Sequence, residues 1–240
     1  RYTLEELKKK EKSIGSRMFQ ALYQQQPIDE TSDFFPMDHI IWEETFEKYY
    51  KLSCRSWDIA SSDNSLGNNR DYSVGVPMYK VSDNEYWITD FVHGQFGDET
   101  GHKVKVTAKL DGPSKPILIE TGTKGGAAKL LYEEWKKQLK GYRTEQSEPI
   151  GTKPDRATPL KHAIYDGKIH VCINDNDLRD LFIQQFNSFP NGKHDDIVDA
   201  CAYAYNYLKD KQGNMAYSVG KQNYNKNKTY GKRRVRHYEY

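Results

Sequence analysis

Hydrophobic positions recur along the chain in two rhythms. Residues 3–26 place Leu4, Leu7, Ile14, Met18, Ala21 and Leu22 at roughly helical spacing, and Pro27 ends that run. Residues 27–50 carry two aromatic clusters, Phe34-Phe35 and Trp42 through Tyr50, but no evident core of their own. They are expected to be a connector. From Leu52 onward the pattern changes to short apolar runs bounded by polar turns. Residues 52–60 predict a strand, a polar loop spans Ser61 to Arg70, and residues 72–81 and 85–92 predict two further strands. The link Ser82-Asp83-Asn84 suits an antiparallel hairpin. Pro77 suggests an edge or a bulge in the strand that carries it.

The helical rhythm then alternates with single strands. Residues 98–111 predict a helix with Val104, Ala108 and Leu110 inward, and 116–121 a short buried strand. A tight turn over Gly122 to Gly126 leads into an amphipathic helix over 127–140, with Leu130, Leu131, Trp135 and Leu139 on its apolar side. A strand over 142–148, a helix near 155–165 and a strand over 168–173 follow. Helices over 176–187 and 195–209 close the body, separated by Phe189-Pro190-Asn191-Gly192. Three antiparallel strands, then alternating helices and strands, predict an α/β domain: a mixed β-sheet flanked by helices on both faces.

Composition narrows the classes. No apolar run approaches the length of a membrane span. The charged N-terminus carries no apolar stretch with a cleavage site, so no signal peptide is expected. Arg1 in place of Met leads to the expectation that the chain continues upstream. Cys54, Cys172 and Cys201 have no zinc-ligand spacing and read as buried small hydrophobes in a reducing compartment. The net charge of +2 conceals an asymmetry: residues 210–240 hold eight Lys/Arg against Asp210 and Glu239, leaving a mildly acidic body. A basic tail interleaved with Tyr217, Tyr224, Tyr230, Tyr238 and Tyr240 suits contact with DNA, or a solubilising or docking role.

Three acidic features fall at element ends. Asp58 lies near the end of the first body strand, Glu120 ends Ile117-Leu118-Ile119, and Asp195, Asp196 and Asp199 open the last helix. An acid within an apolar strand is costly unless paired or bound to a cation. Each also has a plain reading. Asp58 could cap the following loop, Glu120 could pair with a lysine across the sheet, and Asp195 could be a helix N-cap. Asp196 and Asp199, three apart, share a helix face. Converging carboxylates repel and need a shared cation. Oxygen-only ligands suit Mg²⁺ or Mn²⁺, and two such ions about 4 Å apart would clamp an in-line phosphoryl displacement. His194 is a further candidate ligand or proton carrier. Lys124, Lys153 and Arg156 are candidate phosphate contacts, with Arg233 and Arg234 in the basic tail.

Taken as an ordered set, several motifs resemble the nuclease part of phage terminase large subunits. These are Trp57-Asp58, Glu120 with glycines following, Asp71-Tyr72-Ser73, Lys153-Pro154-Asp155-Arg156-Ala157 and Asp195-Asp196-x-x-Asp199-Ala200. Phe19-x-x-x-Tyr23-Gln24-Gln25-Gln26-Pro27 resembles the exit from that family's ATPase domain, so the resemblance covers about residues 17–208. It implies a ribonuclease H-like fold, whose element order matches the one above. It also implies a metal-dependent endonuclease that cuts concatemeric double-stranded viral DNA during packaging. Asp58, Glu120 and Asp196 would then bind two Mg²⁺ or Mn²⁺ ions, with Asp195 and Asp199 as adjacent candidates. Resolvases of the same superfamily share Asp-x-x-Asp-Ala, which favours Asp196 with Asp199. The implied partners are DNA, an upstream ATPase domain of the same polypeptide, a small terminase subunit and a portal, at the procapsid in the host cytoplasm, with no membrane. The implied organisation is a linker over 1–50, the nuclease domain over 51–209 and a basic tail over 210–240. Gly122-Thr123-Lys124-Gly125-Gly126 lacks the spacing and hydroxyl of a phosphate-binding P-loop, so no ATP site is expected. A non-catalytic DNA-docking module and a junction resolvase are the competing readings.

Overall fold

The computed structural model describes residues 34–59, 72–121, 126–149, 151–211 and 218–219. The helix expected over 3–26 and the loop over 61–70 lie outside the described residues, as do Asp71, Lys124 and nearly all of the basic tail. The strands are β1 Ile41–Trp42, β2 Tyr49–Tyr50, β3 Leu52–Asp58, β4 Ser73–Ser82, β5 Glu85–Thr89, β6 Val92–Gly94, β7 Ile117–Glu120, β8 Thr144–Ser147, β9 Ile169–Cys172 and β10 Ser218–Val219. The helices are α1 Thr100–Asp111, α2 Gly126–Gln138, α3 Lys153–Tyr165, α4 Asn176–Ser188 and α5 Asp196–Lys209.

The main sheet runs β1-β9-β5-β4-β3-β7-β8, with β6 also on β4. β3, β4 and β5 are antiparallel neighbours, whereas β3–β7, β7–β8, β5–β9 and β1–β9 are parallel. Pro77 pairs with Arg55 inside the sheet and not at an edge. It falls where the other side of β4 changes partner, between the Gly75–Val92 pair of β6 and the Met78–Ile88 pair of β5. The missing N–H of proline is tolerated at such a break in the ladder.

Alternation along the strands sorts their side chains onto the two faces of the sheet. Trp57, Ile117 and Ile119 face α1 and α2 with Val104, Ala108, Trp135 and Leu139. Cys54, Val74, Val76, Met78 and Leu118 face α3, α4 and α5 with Leu160, Phe182, Ile197 and Cys201. The sheet is therefore the middle of three layers, and the domain is an α/β fold of the ribonuclease H-like type. Gly75 lies directly across from Trp57, and a Cβ there would meet the indole ring at 2.7 Å.

Three leucines expected inward face solvent. Leu110 is 77% exposed because the buried stripe of α1 is Thr100, Val104, Thr107 and Ala108, and Leu110 lies beside that stripe, turned out of it. Leu130 is 74% exposed and Leu131 flanks the stripe of α2 formed by Ala128, Trp135 and Leu139. All three cysteines are buried and free, as expected.

Residues 34–50, expected as a connector, pack onto the body. Phe35 enters the main core against Phe186 and Phe189 at ring distances of 4.8 and 5.5 Å, β1 extends the sheet beside β9, and Phe46 packs on Tyr79 and Trp87. α5 is the central helix: ten of its residues, from Ile197 to Leu208, are buried. Its C-terminal end is fixed by Lys80 of β4. The buried ammonium donates to the carbonyls of Leu208, Lys209 and Lys211 at 3.3, 3.2 and 3.0 Å. This supplies a donor to the carbonyls of Lys209 and Lys211, adds one to that of Leu208, which also accepts from the Lys211 N–H, and places a cation at the negative end of the helix.

Candidate active site

The acids expected to converge come from three elements whose ends meet. β3 and β7 run parallel with Trp57 beside Ile119, so Asp58 and Glu120 stand side by side at the carboxyl ends of the two strands. Both share the parity of Cys54 and Leu118 and therefore point to the α5 face. The N-terminus of α5 lies across from them. Burial, followed by the charges of Glu120, Asp196 and Asp199, holds Asp58 well above the usual carboxylate range. Burial and then Asp199 raise Glu120, and burial and then Asp195 raise both Asp196 and Asp199. Asp196 and Asp199 thus act electrostatically on Asp58 from one helix face, as their spacing predicts.

Asp195 occupies the N-cap position of α5, yet its side chain makes no capping hydrogen bond. Lys153 takes it instead. The Lys153 ammonium donates to both oxygens of Asp195 at 2.7 and 2.8 Å and pairs with Asp199 at 3.3 Å. Arg156 donates to Asp199 at 3.2 Å, and its guanidinium lies 5.5 Å from the centre of the Tyr203 ring. Both basic residues sit on the first turn of α3. A reciprocal capping box between Thr152 and Asp155 fixes where that helix begins, and the three-residue spacing then aims Lys153 and Arg156 the same way. Burial opposes the charge on Lys153, but Asp195 and Asp199 outweigh it and raise its pKa above the ordinary lysine value. Of the basic residues expected to contact phosphate, the two described therefore pair with the acids. Lys124, Arg233 and Arg234 lie outside the described residues.

Other participants left weaker signals. The Tyr203 hydroxyl donates to Oε1 of Glu120 at 3.1 Å. It follows Asp199 by four residues and Asp196 by seven, so helical spacing alone could have placed it at the site. Tyr72 stacks on His93 at 4.5 Å between ring centres and meets the edge of His194 at 5.4 Å. His93 belongs to the same cross-sheet row as Asp58, through Val74. Burial and then His194 push its imidazole below the ordinary histidine range.

Two carboxylate oxygens, Oε2 of Glu120 and Oδ2 of Asp196, are buried without a hydrogen-bond partner. Buried carboxylate oxygens are costly in that state, and a hard divalent cation would satisfy them. The donor set is all oxygen, which fits Mg²⁺ or Mn²⁺. As the side chains stand, no three His, Cys, Asp or Glu among the described residues are gathered into a ready-made metal cage. The acids are adjacent, and lysine and arginine supply their present counter-charge.

A three-layer mixed sheet with carboxylates at the ends of adjacent parallel strands and on the facing helix defines a ribonuclease H-like domain. The chain belongs to the family of terminase RNaseH-like domains, whose model matches residues 55–208, from β3 to the last turn of α5. The resemblance seen in the sequence reaches the same C-terminal limit; residues 17–54 lie outside the match. No curated protein matches the chain. Among the described residues no helix is long and apolar enough to cross a membrane.

Proposed function

We propose that this chain is the nuclease of a terminase large subunit, a metal-dependent endonuclease that cleaves double-stranded concatemeric viral DNA during packaging. The observation that carries the reading is the meeting of Asp58, Glu120 and the α5 acids at one end of the sheet, with two buried oxygens lacking partners. A surface evolved only to bind phosphate gains nothing from clustered carboxylates, which repel it.

Asp58, Glu120 and Asp196 would hold two Mg²⁺ or Mn²⁺ ions, with Asp195 and Asp199 beside them. When bound, such ions supply the positive charge that stabilises an in-line phosphoryl displacement. The chain's own residues prepare the place. Tyr203 orients Glu120 through its hydroxyl, Arg156 holds Asp199, and the Tyr72–His93–His194 stack braces the start of α5. Lys124, Lys153, Arg233 and Arg234 would bind the DNA backbone, with little sequence preference, while Arg156, also expected there, is buried on Asp199 and stays with the acids. In this reading residues 1–50 lead from an upstream ATPase domain, residues 51–209 cut, and 210–240 form a basic tail. The small terminase subunit and the portal are partners at the procapsid in the host cytoplasm.

The test is cleavage of supercoiled plasmid in EDTA, Mg²⁺ and Mn²⁺ in parallel. Cleavage is expected with a divalent ion and absent in EDTA, and Asp58→Ala is expected to abolish it while the fold persists. Retention of DNA without cleavage in any divalent metal would refute the enzyme reading in favour of a docking module. Preferential cutting of four-way junctions would favour a resolvase.

A further inference from the structure

We propose that Lys153 is the exchangeable counter-ion of the carboxylate cluster: divalent cations displace its ammonium from Asp195 and Asp199, and the released ammonium pairs with a DNA phosphate. The inference rests on the nuclease reading above. It comes from the contrast between the two cations of α3. The Arg156 side chain is 10% exposed and is held by Asp199, by the carbonyl of Gly151 and by the Tyr203 ring. Lys153 is 49% exposed and is held by Asp195 and Asp199 at the mouth of the cluster. Arginine is thus a fixed part of the wall, and lysine is a compact charge on a flexible stem.

Five carboxylates (Asp58, Glu120, Asp195, Asp196 and Asp199) face these two cations. Two cations against five carboxylates leave the cluster short of positive charge, and two of its buried oxygens, on Glu120 and Asp196, have no hydrogen-bond partner. A divalent ion brings twice the charge of an ammonium and is repelled by one nearby. Lysine therefore opposes metal entry while it remains in place. Once displaced, it is a free cation on a half-exposed stem beside the position a phosphate must take. One residue would then lower metal affinity in the absence of DNA and raise affinity for DNA in its presence.

The experiment compares the full chain with Lys153→Met, Lys153→Gln and Lys153→Arg. Calorimetric titration with Mn²⁺, without DNA, is expected to show about tenfold tighter binding for the two neutral variants. The arginine variant, which keeps the charge, should stay near the unaltered chain. Binding to a labelled DNA duplex in Ca²⁺ over a series of salt concentrations should weaken in the neutral variants, with a log–log salt slope shallower by about one. Unchanged or weaker Mn²⁺ affinity overturns the exchange, and so does an unchanged salt slope. Failure of the unaltered chain to bind Mn²⁺ would instead strike down the nuclease reading on which the exchange depends.

Discussion

Replacing Asp58 by asparagine should make the metal-free protein more stable. Most substitutions at a packed site destabilise, so the sign itself is informative. Asn keeps the shape of Asp and removes one charge from a group that burial and three neighbouring acids already disfavour. Asp58 and Glu120 end adjacent parallel strands. Strands lie about 4.8 Å apart, and two full charges at that spacing repel by about 3 kcal/mol at an effective dielectric of about 20. Partial protonation of the cluster and the nearby Lys153 relieve some of this, so a gain of about 1–3 kcal/mol is expected, or roughly 3–9 °C in Tm. Thermal melts at pH 7.5 in EDTA measure it directly. In Mn²⁺ the order should change: the unaltered chain should gain stability from the ion, and Asp58→Asn should gain much less. If Asp58→Asn melts at or below the unaltered chain in EDTA, the acids are not in electrostatic conflict and the argument for a shared cation fails.

The same groups set a pH dependence. Asp58, Glu120, Asp196 and Asp199 have folded pKa values raised above the ordinary 3.8 or 4.5, so protonation favours the folded state. Their contribution is fully present below those ordinary values and is lost as pH rises through the raised ones. The metal-free melting temperature should therefore gain from this component as pH falls through those raised values towards the ordinary ones, and saturating Mn²⁺ should flatten it. His93 acts in the opposite sense: its lowered pKa gives a contribution present above about 6.5 and lost on acidification. Subtracting the Asp58→Asn profile isolates the carboxylates, and a pH-independent difference would count against them. At the far end of α5, Lys80→Met should cost about 1–3 kcal/mol in urea unfolding by taking the ammonium from the Lys209 and Lys211 carbonyls, the Leu208 carbonyl keeping its backbone donor. A loss below about 0.5 kcal/mol would show that those carbonyls do not need the ammonium.

The acids were legible in the sequence because an acid in an apolar strand contradicts its surroundings. Asp58 and Glu120 stand out against Trp57-x-Ile59 and Ile117-Leu118-Ile119, and Asp196 and Asp199 by helical spacing. What opposes those acids was not legible. Lys153 and Arg156 share a face, and spacing says so, but which surface that face meets depends on how α3 packs against α5. The same holds for Asp195: the chain places it at an N-cap, and only the tertiary neighbour decides that its oxygens go to Lys153. Leu110 and Leu130 misled for a related reason. Apolar character was visible, but a 12- or 13-residue helix offers two competing stripes, and the sheet selects one. The core role of Phe35 and Phe46 was hidden because their partners, Phe186 and Tyr79, lie far along the chain.

The placement of the site follows from where positive potential is available. The N-termini of α3 and α5 meet where Lys153 bonds Asp195, and a helix N-terminus carries partial positive charge. The acids of α5 suit that end of their helix. The cations of α3 do not suit theirs and require the acids for compensation. The two helix ends are therefore mutually dependent, and the carboxyl ends of β3 and β7 add Asp58 and Glu120 from the sheet side. An arrangement with excess negative side chains in a field that attracts anions leaves two species able to satisfy it. One is a cation of higher charge among the carboxylates; the other is an anion at the helix ends that the freed lysine can meet. A divalent ion together with a DNA phosphate meets both conditions at once.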